Sequence, residues 1–284
     1  MMQKVKERAM MILFLIAACV SVLAVGIICW FLLSNGLMTI GKIGPGEFLL
    51  GMEWRPSSGL YGIFPMIIGS IYVTVGAMVI GIPIGLLCAV FLAYFCPKKL
   101  YKVIKPAVDL MAGIPSIVYG FFGLVVIVPI MQNLVGGSGK SLLTASILLG
   151  VMILPTIISV SESSIRAVPE SYYDGALGLG ATKERAVFFS VLPAAKSGIT
   201  AGIILGIGRA IGETMAVIMV AGNQPMLPES LISGVRTLTA NVVIEMGYAT
   251  GLHREALIAT AVVLFVMILI INLLFSLVKR RHAK

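Results

Sequence analysis

The sequence predicts an all-α membrane protein of six transmembrane helices with both termini in the cytoplasm. Three observations predict it. Of 284 residues, 59% are hydrophobic and 12% are charged, whereas soluble domains carry about 25% charged residues. Six apolar segments each reach the roughly 20 residues that span a hydrocarbon core. The cations between those segments alternate by side. A soluble core of this size cannot hide so much apolar surface, and a bilayer accepts it. The 31 glycines agree, because small residues let membrane helices approach closely.

The segments cover residues 10–33, 64–95, 110–134, 142–160, 197–221 and 256–278. Residues 10–33 hold Ile16-Ala17-Ala18-Cys19, which resembles a lipoprotein cleavage site. The apolar run continues to Leu33, beyond the 7–15 residues of a signal h-region, so a retained helix is expected. The second segment is longer than a span needs and contains Gly76, Gly81, Pro83 and Gly85, which predicts tilt or a kink. In the third, Asp109 is expected to cap the helix start. Glu162 ends the fourth at the membrane face. The fifth carries Arg209 and Glu213. The link of roughly 33 residues before the sixth contains Pro225, Pro228, Glu229 and Glu245. It reads as a packed lid, as a surface that receives an external protein, or as a solvated loop.

Charge sets the orientation. Lys4, Lys6 and Arg8 precede the first segment. Lys98, Lys99, Lys102 and Lys105 follow the second. Arg166, Lys183, Arg185 and Lys196 follow the fourth, and Lys279, Arg280, Arg281 and Lys284 follow the sixth. The alternate links hold only Lys42, Arg55, Lys140, Arg236 and Arg254. The cation-rich side is expected to be cytoplasmic. The net charge of +9 then reports topology, and nucleic acid is not an expected partner.

Little suggests covalent or metal chemistry. Cys19, Cys29, Cys88 and Cys96 form no C-x-x-C and read as small buried hydrophobes. His253 and His282 are too few and too far apart for a metal site. Gly136-Gly137-Ser138-Gly139-Lys140-Ser141 imitates a phosphate loop, but Leu134 stands where the first glycine belongs. It is expected to be a flexible turn, and nucleotide hydrolysis is not expected of this chain.

The link 161–196 is unusual. Pro169-Glu170 starts a short helix, with the acid at its positive end. Tyr172, Tyr173, Ala176 and Leu177 follow, then Gly180 and Ala186-Val187-Phe188-Phe189. Exposed aromatics and glycines suit a docking surface, and they also suit an amphipathic helix on lipid head groups. Within the fifth segment, Arg209 and Glu213 stand at i and i+4 and are expected to share one helix face and pair. A mid-span arginine costs at least ~2.5–3.5 kcal/mol on insertion scales. The pair reads either as part of a solute pathway or as a lock between helices.

A resemblance to a known family becomes specific in that link. The permease subunits of ABC importers carry an EAA loop: E-A-A-x-x-x-G, nine residues, then I-x-L-P. Here Asp174-Gly175-Ala176 stands three residues before Gly180, and nine residues later comes Ser190-Val191-Leu192-Pro193. The spacing agrees throughout. Ala176, Gly180, Leu192 and Pro193 match, while Asp174, Gly175 and Ser190 depart. Ala112-Gly113-Ile114-Pro115-Ser116-Ile117-Val118-Tyr119-Gly120 and Gly208-Arg209-Ala210-Ile211-Gly212-Glu213-Thr214-Met215-Ala216-Val217 resemble segments of phosphate importer permeases. Ala221-Gly222-Asn223 and Arg236-Thr237-Leu238-Thr239-Ala240 are similar to the PstC type more than to the PstA type. The resemblance covers residues from about 69 to 264.

The resemblance implies a type I ABC importer permease fold, with an N-terminal helix and loop over 1–63 and a five-helix core over 64–284. It implies import of inorganic phosphate by alternating access, or of another oxyanion such as sulfate, phosphonate or molybdate. It implies a heterodimer with a PstA-type permease, two PstB-type ATPase subunits that hold ATP and magnesium, and an external PstS-type binding protein. No cofactor is expected on this chain, which is expected in the membrane of a prokaryotic cell. Asp174, Gly175, Ala176, Gly180, Leu192 and Pro193 are the implied coupling residues; Arg209 and Glu213 are the implied pathway residues. A stand-alone secondary transporter is the weaker reading, because only one internal charge pair and no clear inverted repeat are present. Nothing supports a membrane enzyme.

Overall fold

A computed structural model describes residues 2–281, without the side chains at 2–5, 9 and 275–281. His282 and Lys284 lie outside the described residues. The chain folds as α1 (Met2–Ile43), α2 (Pro45–Leu50), β1 (Trp54–Arg55), β2 (Leu60–Tyr61), α3 (Phe64–Val90), α4 (Lys98–Ala112), α5 (Ser116–Phe122), α6 (Val128–Val135), α7 (Leu142–Arg166), α8 (Glu170–Gly178), α9 (Lys183–Ala186), α10 (Leu192–Gly212), α11 (Met215–Val220), α12 (Leu238–Met246) and α13 (Gly251–Arg281). Among the described residues, six helical stretches are long and apolar enough to cross a membrane: Lys6–Ile43, Phe64–Phe95, Ser116–Val135, Leu142–Arg166, Lys183–Gly212 and Gly251–Leu274. β1 and β2 form one short antiparallel hairpin.

α7 is the central helix, because glycines flank it on two sides. From α3, Gly76 meets Ser146, and side chains added at Gly81 and Gly85 would meet Ile153 at 2.7 Å and Ile157 at 2.9 Å. From α10, Gly198 meets Ser164, Gly202 stands against Ser161, and Gly206 stands against Ile157. Small residues bring backbones close, and dispersion across such seams replaces a hydrophobic driving force that lipid does not supply. The principal core therefore joins Val73 and Ala77 of α3, Leu148, Met152 and Ile157 of α7, and Val217 and Val220 of α11. α1 stands at the periphery. It is exposed along most of its length and meets α13 where Gly36 lies against Val262.

Several span boundaries differ from the sequence expectation. Residues 98–112 form the separate helix α4, and the third span begins at Ser116. Gly113 ends α4, and Pro115 keeps Ile114 from continuing it. Asp109 accordingly sits inside α4 and caps nothing. The fifth span runs from Lys183 to Gly212, earlier at both ends than expected. The link between spans four and five then shortens to residues 167–182, because α7 continues through Arg166.

Three π-helical stretches among the described residues each lie just before a proline. They cover Phe91–Phe95, Gly123–Ile127 and Val187–Val191. Each is followed by one residue and then a proline: Pro97, Pro129 and Pro193. That intervening residue donates back five positions, Cys96 to Phe91, Val128 to Gly123 and Leu192 to Val187. A proline lacks the N–H of an α-helical bond and crowds the carbonyl four back. A wider turn just before it relieves that crowding. Pro193 therefore lies within a continuous helix.

The cysteines are less buried than expected. Cys19 is exposed, and the other three are partly exposed.

Candidate transport pathway and coupling surface

The residues 167–182 form a compact exposed platform. Val168 is buried, and Pro169 turns the chain from α7 into α8. α8 buries none of its residues. Asp174 and Gly175 are exposed and Ala176 is partly exposed. Gly180 follows with φ +87°, a left-handed conformation that favours glycine. Thr182 then caps α9 by accepting from Arg185 N. The platform is anchored to two spans. The Tyr173 ring lies 5.1 Å from Tyr94 of the second span, and Ser190 Oγ of the fifth span donates to Tyr172 O at 2.9 Å. Beneath lies an apolar cluster of Ala89, Val90, Ile165, Val187, Val191 and Ala195, with Leu192 against it. Pro193 is exposed beside that cluster. The structure thus gathers Asp174, Gly175, Ala176 and Gly180 on one surface and puts Leu192 and Pro193 in the helix it rests on.

A polar network ties the same end together. Glu162 is buried on α7; it pairs with Arg166, accepts from Tyr101 OH at 3.0 Å and lies 3.7 Å from Lys105 Nζ. Arg166 also donates to Leu92 O at 2.7 Å and covers the Tyr101 ring. Lys105 donates to Ser159 at 2.9 Å and pairs with Asp109 at 3.0 Å. Hydrogen bonding from Lys105, then from Ser159, holds the Asp109 carboxyl below its usual range. Burial, reinforced by the bond to Glu162, raises the Tyr101 phenol.

Arg209 occupies the last turn of α10, partly buried, with Nη1 3.4 Å from Thr156 Oγ1 of α7. The expected pair with Glu213 does not form. α10 ends at Gly212, and Glu213 is extended with ψ 131°. That turn carries its side chain off the Arg209 face. Glu213 Oε1 instead accepts from Thr214 N at 3.1 Å and Ala216 N at 3.2 Å, at the start of α11. Its carbonyl accepts from Thr239 Oγ1 at 3.1 Å. Among the described residues, no carboxylate lies within 4.0 Å of Arg209. A guanidinium has five N–H donors, and among the described residues Thr156 is the side chain within hydrogen-bond distance of Arg209.

The opposite end holds a cluster that sequence reasoning missed. Glu245 is buried in α12. It accepts from Trp54 Nε1 at 2.8 Å and Arg236 Nη1 at 2.6 Å, and its Oε2 lies 2.8 Å from His253 Nε2. Arg236 also donates to Asn241 Oδ1 at 3.0 Å and Asn223 O at 2.9 Å. The link before the sixth span is therefore built rather than loose. Its backbone is joined to α7 through Leu142 N to Ser233 O and Leu143 N to Leu231 O. The glycine-rich loop 136–141 is a turn with three left-handed glycines, and Ser141 caps α7.

Comparison with known proteins agrees with this architecture. Residues 81–284 match the family described as binding-protein-dependent transport system inner membrane component. The chain is 39% identical over 259 residues to the probable ABC transporter permease protein YqgH of Bacillus subtilis, covering 89% of this chain and 84% of that protein. It is 34% identical over 265 residues to the phosphate transport system permease protein PstC of Pasteurella multocida, covering 84% and 83%. Its fold resembles a chain of the inward-facing MetNI methionine ABC transporter, with TM-score 0.64, 20% identity, and 82% and 100% of the two chains covered. A chain of a bacterial alginate ABC transporter is also similar, with TM-score 0.61, 15% identity, and coverage of 93% and 95%. Six spans, an exposed helix at the end of the fourth, and a family match over most of the core agree: the chain belongs to the inner membrane components of binding-protein-dependent transport systems.

Proposed function

We propose that this chain is a permease subunit of an ATP-driven ABC importer that carries inorganic phosphate into a prokaryotic cell. Its termini and α8 face the cytoplasm, a reading that the cation asymmetry supports. The platform through Asp174, Gly175, Ala176 and Gly180 docks on an ATPase subunit, and Leu192 and Pro193 carry its motion into the fifth span. ATP and magnesium reside on two PstB-type ATPases, and hydrolysis occurs there. A PstA-type permease completes the pathway, and a PstS-type protein delivers phosphate from outside. The observation that carries this reading is α8, an exposed helix fastened to the second and fifth spans.

Arg209 faces the pathway and offers charge-assisted hydrogen bonds to the phosphate. Glu213 acts at the same place by holding the break between α10 and α11, which sets where the guanidinium points. A single cation with few protein partners binds an anion without trapping it. Closure of the ATPase dimer moves the α8 platform, and the spans alternate their access.

Vesicles that contain the chain, its partner permease, the ATPase and the external binding protein test this. Phosphate uptake should require ATP and the ATPase. Uptake that persists without the ATPase defeats the importer reading, and uptake of sulfate in place of phosphate defeats the substrate. Arg209→Gln should abolish uptake while the complex still assembles on a sizing column; unchanged uptake removes Arg209 from the pathway.

A further inference from the structure

The helix α4 has three distinct faces. Tyr101, Ile104, Lys105 and Val108, at i, i+3, i+4 and i+7, turn inward. Tyr101, Ile104 and Val108 pack with Leu92 and Ile158, and Lys105 enters the polar network on α7. Leu100, Val103 and Leu110 are exposed on a second face, Val103 by 67% and Leu110 by 74%. Lys98, Lys99 and Lys102 are exposed on the third.

These lysines lack acidic partners. Among the described residues, none lies within 4.0 Å of a carboxylate. The sole acid on α4, Asp109, is engaged by Lys105 and Ser159. All three lysines also crowd the N-terminal half of the helix, where the macrodipole favours anions and opposes cations. Pro97 provides no side-chain cap there. An anion at this end relieves both the lysine repulsion and the unpaired first-turn N–H groups.

The position of α4 identifies the anion. It begins three residues after the second span ends at Phe95 and stops four residues before the third begins at Ser116. It is thereby held at the membrane boundary. An exposed apolar strip beside exposed lysines matches the junction between acyl chains and head groups. A bilayer surface meets the lysines and the apolar strip together. We propose that α4 binds the headgroup phosphates of anionic phospholipids through Lys98, Lys99 and Lys102, with Val103 and Leu110 seated among the acyl chains. The site is independent of the solute transported.

The test uses the full chain purified into vesicles of phosphatidylcholine with or without phosphatidylglycerol, and the probe is spin-labelled phosphatidylglycerol against spin-labelled phosphatidylcholine. The chain should enrich phosphatidylglycerol, and added salt should weaken the enrichment. A membrane-surface lysine contributes about 1 kcal/mol, so each removal should lower enrichment by up to about fivefold. The triple change Lys98→Gln, Lys99→Gln, Lys102→Gln should lower it sharply, and the corresponding arginine triple should retain it with the same helicity by circular dichroism. No enrichment in the wild type, or full enrichment in the glutamine triple, overturns the proposal. Amine labelling gives a further check. Protection of the three lysines by phosphatidylglycerol supports the lipid site; protection only by an added ATPase subunit, in neutral lipid, overturns it in favour of a protein interface.

Discussion

Glu245 shows what one buried carboxylate organises. It collects Trp54 from the first hairpin, Arg236 from the link, and His253 from the last span. Breaking a buried pair by removing one partner leaves an uncompensated charge and costs about 3–5 kcal/mol. Glu245→Gln should therefore lower the stability of the purified chain by roughly that amount in thermal unfolding. Adding Arg236→Gln should cost less than the sum of the single changes, because the two share one network. A gentler effect belongs to Asp109. Its carboxyl is held low in the fold by Lys105, so it stabilises the native state above its ordinary value near 3.9. That contribution is lost as pH falls through the lower, folded value. The stability difference between wild type and Asp109→Asn should shrink on acidification below about pH 4. It should be small, since the Asp109 side chain is half exposed and its pair is screened. The Lys105–Asp109 pair has the i, i+4 spacing of one helix face, but the Glu245 cluster was not legible in the sequence. Trp54 and Glu245 stand 191 positions apart, and no periodicity links residues brought together only by the packing of helices.

At the scale of elements, hydropathy located all six spans but not all their ends. Gly113 and Pro115 signal the break after α4, and the apolar run across them hid it. The break at Glu213 has a weaker signal, because Gly212 is one of many glycines in this chain. Glycine also shows the limit in another way: its abundance was readable as close packing, but the partner of each glycine was not. Gly81 is the sharpest case. A Cβ there would stand 2.7 Å from two Ile153 carbons and 2.9 Å from the Gly150 carbonyl. Backbone is on one side, and neighbouring side chains are already packed. Gly81→Leu should destabilise the α3–α7 seam by about 1–3 kcal/mol, as overpacking generally does. Helix-pair cross-linking between α3 and α7 together with thermal unfolding would measure it; an unchanged midpoint would show that the seam is looser than these distances require.

The whole molecule separates a closely packed centre from an exposed helical surface. α7 is clamped by glycine seams on both sides, whereas α8 buries no residue and connects to the spans through Tyr173 and Tyr172. The spacing of Asp174, Gly180 and Pro193 made this platform legible in advance, although its length shortened once α7 and α9 were seen to extend into it. The separation allows folding and coupling to be tested independently. A Cβ added at Gly175 meets nothing within 4 Å, so Gly175→Leu should leave the thermal stability of the isolated chain unchanged or slightly raised, since leucine is a better helix former by ~0.5–1 kcal/mol. On the proposed docking surface the same side chain would occupy space that the ATPase needs. Co-purification of the ATPase should fall, and ATP-driven uptake should fall with it. Retained ATPase binding with full uptake would place the drive point elsewhere. Lost stability without lost binding would mean that α8 carries structural load that its exposure does not reveal.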